Sequence, residues 1–88
     1  MRFRFDPAKA GANWRKHGVS LADAEAVFHD PLAFHRADPD AEGEPRMVAI
    51  GEGSAGALLV VIYAERGDEV RLISARRATR REARTYAE

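Results

Sequence analysis

The run Ala57-Leu58-Leu59-Val60-Val61-Ile62-Tyr63-Ala64-Glu65 is apolar at odd and even positions alike and rich in β-branched residues. A strand with two apolar faces has to be covered on both, so it belongs in the middle of a sheet with material packed above and below. Its neighbours in the chain read as its neighbours in that sheet. Arg46 to Gly51 alternates, with Arg46, Val48 and Ile50 on one face and Met47 and Ala49 on the other, and Glu52-Gly53-Ser54-Ala55-Gly56 is a turn. Arg66-Gly67-Asp68 then turns the chain into a strand from Glu69 to Arg77. This makes an antiparallel meander, and its cover must come from the rest of the chain.

The N-terminal half supplies it. Arg2 to Phe5 alternates basic and aromatic residues, as a short strand with Phe3 and Phe5 on one face. Asp6-Pro7 is an N-cap followed by proline at the first helical position, predicting a helix to Lys16 or His17 that stops at Gly18. Ala10 and Trp14 share one side of it, and Lys9, Asn13 and His17 form a polar ridge. Gly11 costs this helix about 1 kcal/mol relative to alanine, so close packing is expected there. Ser20 caps a second helix through Phe28, with Asp23 three positions along and Leu21, Ala24, Val27 and Phe28 as the buried stripe. Asp30-Pro31 ends it. Leu32 to Ala37 reads as a short strand and Asp38 to Pro45 as an acidic loop. Thr79 and Glu82 have the spacing of a capping box, opening a last helix that runs to the chain's end.

The order β-α-α-β-β-β-β-α is that of an α+β fold: one domain over residues 1–88, a mainly antiparallel sheet packed with two N-terminal helices and a C-terminal helix. A chain of 88 residues has a thin core, and a partner protein would add stability. It has no cysteine, and His17, His29 and His35 lack zinc-like spacing, so neither metal nor cofactor is expected. No apolar run reaches the length of a signal peptide or a membrane span, which predicts a cytoplasmic protein.

The net charge of zero conceals a pattern. Residues 1–22 carry five basic and one acidic side chain, residues 23–52 two and eight, and residues 66–84 seven and three. If the basic ends meet, they form a positive patch suited to nucleic acid. The densest part is Arg76-Arg77-Ala78-Thr79-Arg80-Arg81-Glu82-Ala83-Arg84-Thr85-Tyr86. Arginine offers a planar, permanent charge that matches phosphate oxygens.

At these residues the chain resembles a known family. Asp6, Lys9, Asn13, the segment Lys16-His17-Gly18-Val19, Val27-Phe28, Asp30-Pro31, Arg46, Ile50-Gly51, Gly56, Leu58-Leu59-Val60-Val61 and Ile73-Ser74-Ala75-Arg76-Arg77-Ala78-Thr79 with Glu82 and Tyr86 look like the BrnT toxins of bacterial type II toxin–antitoxin pairs. The resemblance implies a RelE-like fold, ribonuclease activity that inhibits translation, and neutralisation by a BrnA-like antitoxin in a hetero-oligomer. It also implies operator DNA contacted mainly through the antitoxin. There are departures: Phe5 stands where the family often has tryptophan, both read as core, and Asp40-Ala41-Glu42-Gly43 lacks the family's His-Ser pair. That absence leaves room for a catalytically weak partner acting within an autorepressing complex.

RNA carries its own nucleophile, the 2′-hydroxyl, so a metal-free endoribonuclease needs only groups that move protons and neutralise the phosphorane. His17, on the basic ridge, carries an imidazole, the side chain suited to proton transfer near neutral pH, unless it only bonds the last helix carbonyls. Lys9, two turns earlier, is a charge stabiliser or a surface lysine. Arg76, placed on the face of Val70, Leu72 and Ser74, holds a phosphate or pairs internally with Asp30 or Glu82. Arg80 lies in a first helical turn, where the dipole disfavours cations, which suggests a use. The catalytic set is thus Lys9, His17, Arg76 and Arg80. Asn13, Arg46, Arg77 and Tyr86 are expected along the RNA. Tyr86 stacks on a base or pins its helix, while Arg81, Arg84, His29 and His35 are surface residues.

Overall fold

The computed structural model describes residues 1–87. Its elements are β1 (Arg2–Arg4), α1 (Pro7–His17), α2 (Leu21–Ala24) running into a 3-10 turn (Glu25–His29), β2 (Phe34–Ala37), β3 (Met47–Glu52), β4 (Leu58–Arg66), β5 (Glu69–Arg77) and α3 (Arg80–Ala87). The sheet order is β1-β5-β4-β3-β2, so β4 and β5 are interior and the long apolar run is flanked on both sides, as its composition requires. Among the described residues only the β1–β5 pairing is parallel.

One face carries α1, α2 and the 3-10 turn. Val19, Leu21, Ala24 and Val27 are buried there against Ala49, Leu59, Val61, Tyr63, Val70, Leu72 and Ala75. Leu21, Ala24 and Val27 recur every three residues, the repeat that a 3-10 turn stacks in line, and the second helix accordingly tightens after Ala24 instead of continuing as α-helix to Phe28. Asp23 makes no capping box; its carboxylate accepts from the Ser54 hydroxyl. The turn sits hard on β3, since a Cβ on Gly51 would stand 2.8 Å from Val27 Cγ1 and 3.0 Å from Ala33 Cβ. The other face has a smaller cluster, Val48, Ile50 and Val60 with Ile62, Ala78 and Tyr86, and only α3 covers it.

The caps of α1 follow expectation. Asp6 accepts the Ala8 N–H at 2.8 Å, and Gly18 closes the helix with φ 65°, donating to the Trp14 carbonyl. Thr79 and Glu82 form the full capping box of α3, with Glu82 Oε1 accepting Thr79 N–H at 2.8 Å and Thr79 Oγ1 accepting Glu82 N–H at 3.2 Å.

Several side chains lie elsewhere than the pattern predicts. Ala10 packs on the core but Trp14 is 61% exposed, because the position that α1 buries is Asn13. Phe5 is not core: it is 37% exposed and belongs to neither apolar cluster, whereas Phe3 packs on Phe28 with ring centroids 5.1 Å apart. Gly11 meets no other element; the nearest atom to a Cβ there is the Arg15 guanidinium at 3.3 Å. Arg46 lies just outside β3, and β2 starts only at Phe34.

The largest correction concerns β5. Ile62 pairs with Ser74 and Tyr63 with Leu72, so Ile73 is an extra residue bulged out of the ladder. A bulge reverses the side-chain alternation beyond it. Val70, Leu72 and then Ala75 therefore share the α1 face, and Arg76 pairs with Val60 on the α3 face while Arg77 pairs with Leu59 on the α1 face. Arg76 does not share a face with Val70 and Leu72.

Candidate active site

The placement of α1 rests on one side chain. Where β1 ends, at the pairing of Arg4 with Arg71, the edge of β5 loses its backbone partner. Asn13 takes over. Its Nδ2 donates to the carbonyls of Ala75 at 2.8 Å and Val19 at 2.9 Å, and its Oδ1 accepts the Ala75 N–H at 3.0 Å. The amide imitates one residue of a neighbouring strand and fastens the helix across the open edge. Asn13 is 5% exposed and both its donors are committed, so it is a structural clasp and not the RNA contact that its place on a polar ridge suggests.

The clasp sets the rest of the ridge beside that edge. Lys9, Ala12, Asn13, Lys16, His17, Ile73 and Ser74 line a groove of about 300 Å³. Lys9 also borders a second hollow of about 340 Å³ with Arg4, Phe5, Asp6, Arg71 and Leu72. The two adjoin at Lys9, one bordered by Leu72 and the other by Ile73, and together make up the channel between α1 and the edge of β5. The ion pairs among the described residues are Arg2–Glu69, Arg4–Glu69, Arg66–Glu44 and Arg76–Glu82, which leaves Lys9, Lys16 and His17 without a carboxylate partner. Such a groove, positive and open, fits an anionic chain. Arg77 lies past its far end, lining a small hollow with Gly18, Val19 and Leu59.

The other predicted site residues lie apart from this channel. Arg76 is engaged in a two-pronged ion pair, Nη1 and Nη2 each 2.8 Å from an oxygen of Glu82, with Nη1 also donating to the Arg77 carbonyl at 3.3 Å. The Arg76 guanidinium, helped by the Thr79 N–H, holds the Glu82 carboxyl well below the usual carboxylate range, at about 2. Of the two internal partners foreseen for Arg76, the structure selects Glu82. Arg80 is exposed in the first turn of α3 on the same side. Tyr86 donates to Asp30 Oδ2 at 2.7 Å and packs on the Val48–Ile50–Val60 cluster, so it pins α3 to the sheet. Arg46 is far from Arg76 along the sheet, since Met47, next to it, pairs with Tyr63 while Arg76 pairs with Val60. It lies instead in the row of Ala64 and Arg71, two strands in from the β5 edge, where the Glu44 carboxyl, held low by Arg66 foremost, also feels Arg71 and Arg46.

Two features escaped sequence reasoning. Asp30 is a hub, accepting from the backbone N–H of Leu32 and Glu52 and from Tyr86, and those bonds, the one from Glu52 foremost, lower its pKa. An Asp-Pro helix stop gives no hint of such reach. The second is the arginine pair Arg4 and Arg71 at the mouth of the channel; the register that opposes them was not legible from either strand alone.

Comparison with known proteins agrees with the fold. The family model for the ribonuclease toxin BrnT of type II toxin–antitoxin systems matches residues 5–82. The crystal structure of the Brucella abortus ribonuclease toxin BrnT superposes with a TM-score of 0.69 at 28% identity, covering 91% of this chain and 99% of that one. Among curated proteins, none matches. No helix among the described residues is long and apolar enough to cross a membrane.

Proposed function

Because the chain belongs to the BrnT family of ribonuclease toxins of type II toxin–antitoxin systems, we propose that it is a metal-independent endoribonuclease that cleaves RNA by 2′-hydroxyl attack and thereby inhibits translation and growth. The observation that carries this reading is the channel between α1 and the β5 edge, where Lys9, Lys16 and His17 stand together without carboxylate partners. The ammonium groups of Lys9 and Lys16 balance the charge that builds on the phosphorane. The His17 imidazole, half-buried at the end of the ridge, exchanges the proton of the attacking hydroxyl or of the departing 5′-oxygen. Arg77, on the α1 face, extends the positive surface beyond His17.

The bulge at Ile73 changes the roles of the tail. Arg76 is assigned to holding α3 through Glu82, and Arg80 and Arg46 to steering RNA by charge from outside the channel. A BrnA-like antitoxin neutralises the protein, and operator DNA is reached through that partner.

Inducing variants in cells and mapping RNA ends tests the assignment. His17→Ala and Lys9→Ala are expected to abolish growth arrest and the 2′,3′-cyclic phosphate ends, and Arg77→Ala to weaken both more than Arg80→Ala does. Full toxicity of His17→Ala and Lys9→Ala would remove the site. Binding of RNA without any cleavage by the wild type would identify the chain as the inactive partner of a repressor complex.

A further inference from the structure

The hollow at the N-terminal end of the channel has features that the reaction itself does not use. Arg4 and Arg71 stand directly opposite each other across the parallel β1–β5 ladder, on the face of the sheet away from Val70 and Leu72, at the edge that α1 borders. Like charges in that relation are unfavourable. Arg4 has partial relief, its Nε donating to Glu69 at 3.0 Å, which leaves its two terminal nitrogens free. Arg71 has no hydrogen bond or ion pair from its side chain among the described residues. Lys9 borders the same space; of the carboxylates around it, Asp6 is committed through Oδ1 to capping α1, Glu69 to Arg2 and Arg4, and Glu44, bonded to Arg66, acts on Arg71 only through its charge. An anion set beside Arg4 and Arg71 adds to the relief that Glu69 and Glu44 supply.

Phe5 forms another wall of this hollow. Among the described residues it joins neither apolar cluster and no aromatic pair, and more than a third of its surface is open. Phe3, two residues earlier, is by contrast packed against Phe28. An aromatic ring beside cations with open donors is the arrangement by which proteins hold single-stranded nucleic acid, the ring stacking a base and the cations its phosphate. The volume of about 340 Å³ lies in the range of a small-ligand site. Lys9 and His17 are eight residues apart on α1, or ~12 Å along the helix, so the hollow lies within a few nucleotides of the reacting phosphate.

We propose that this hollow is a nucleotide subsite for single-stranded RNA, in which Phe5 stacks a base and Arg4 and Arg71 hold its phosphate, with Lys9 standing between it and the reacting phosphate. The proposal deepens the ribonuclease reading and rests on it for the identity of the chain bound. The test is the affinity of the full-length protein for a single-stranded 2′-O-methyl oligoribonucleotide of mixed sequence, which cannot be cut by 2′-hydroxyl attack. Phe5→Ala is expected to bind roughly tenfold or more weakly, and Phe5→Trp at least as tightly as the wild type. Arg71→Gln is expected to lower affinity and to reduce the slope of log affinity against log salt by about one phosphate contact. Trp14→Ala, which removes an exposed aromatic outside the channel, leaves affinity unchanged. Thermal melts establish that Phe5→Ala is folded, and the Phe5→Trp and Arg71→Gln arms do not depend on it. Wild-type affinity in both Phe5→Ala and Arg71→Gln overturns the subsite. Phe5-dependent binding by a protein that never cleaves natural RNA upholds it and overturns the ribonuclease reading instead.

Discussion

The two faces of the sheet are built to different standards. On the α1 face, a continuous apolar cluster runs from Val19 to Ala75, and the helix is tied down by Asn13, buried and bonded at three points to backbone groups. On the α3 face, the helix has no fully buried residue, and it is held by Tyr86 on Asp30 and by Glu82 on Arg76. The first attachment is dry and integral to the core, while the second is polar and partly wet. An unmade hydrogen bond costs far more in the first setting, because the orphaned groups cannot turn to water. The face with the rigid helix is also the face that carries Lys9, Lys16 and His17, so the groups proposed for chemistry stand on the better-anchored element.

The sharpest way to break this contrast is to remove the clasp. Asn13→Ala strands the Ala75 N–H and the carbonyls of Ala75 and Val19, and is expected to cost on the order of 3 kcal/mol in urea denaturation. A loss below 1 kcal/mol would show that water replaces the amide and that the edge is not dry. The α3 attachment responds to acid instead. Its Glu82 carboxyl titrates at about 2 when folded, against roughly 4.3 in an unfolded chain. A depressed folded pKa contributes stability that is present above pH ~4.3 and is lost as the pH falls toward about 2. Amide exchange across α3 is therefore expected to accelerate in that window while the β4 and β5 amides stay protected. In Glu82→Gln, α3 is expected to be already mobile at neutral pH and less sensitive to acid. Tyr86→Phe is milder, loosening α3 by about 1 kcal/mol through loss of the bond to Asp30, with the global melt nearly unchanged.

What the sequence discloses about these faces depends on how local the signal is. Gly18, the Asp6-Pro7 cap and the Thr79–Glu82 box act within one helical turn, and each is where its residue types place it. The apolar run of β4 announces its own position because both its faces must be covered. The bulge at Ile73 has no such signature: nothing in Leu72-Ile73-Ser74 says that β5 carries the extra residue, yet that residue decides which arginine faces α1. Asn13 is hidden for a similar reason. An amide on a polar ridge reads the same whether it meets water or a backbone 62 residues further along the chain. The ridge was therefore legible as a group, with Lys9 and His17 side by side, whereas the assignment of its middle member and of Arg76 needed the register of the sheet.

The smallest expected effect concerns α1 alone. A glycine inside a helix predicts a close neighbour, and among the described residues Gly11 has none; a Cβ there would meet only the far end of the exposed Arg15 side chain, at 3.3 Å. Gly11→Ala then removes backbone freedom from the unfolded chain without a steric charge on the folded one, and is expected to stabilise the protein by up to about 1 kcal/mol. Because α1 is already fixed to β5 by Asn13, the gain should appear in full in the global unfolding midpoint. A gain confined to faster reclosing of α1, with no change in that midpoint, would mean that the helix and the sheet unfold separately, and that the α1 face is no more tightly integrated than the α3 face.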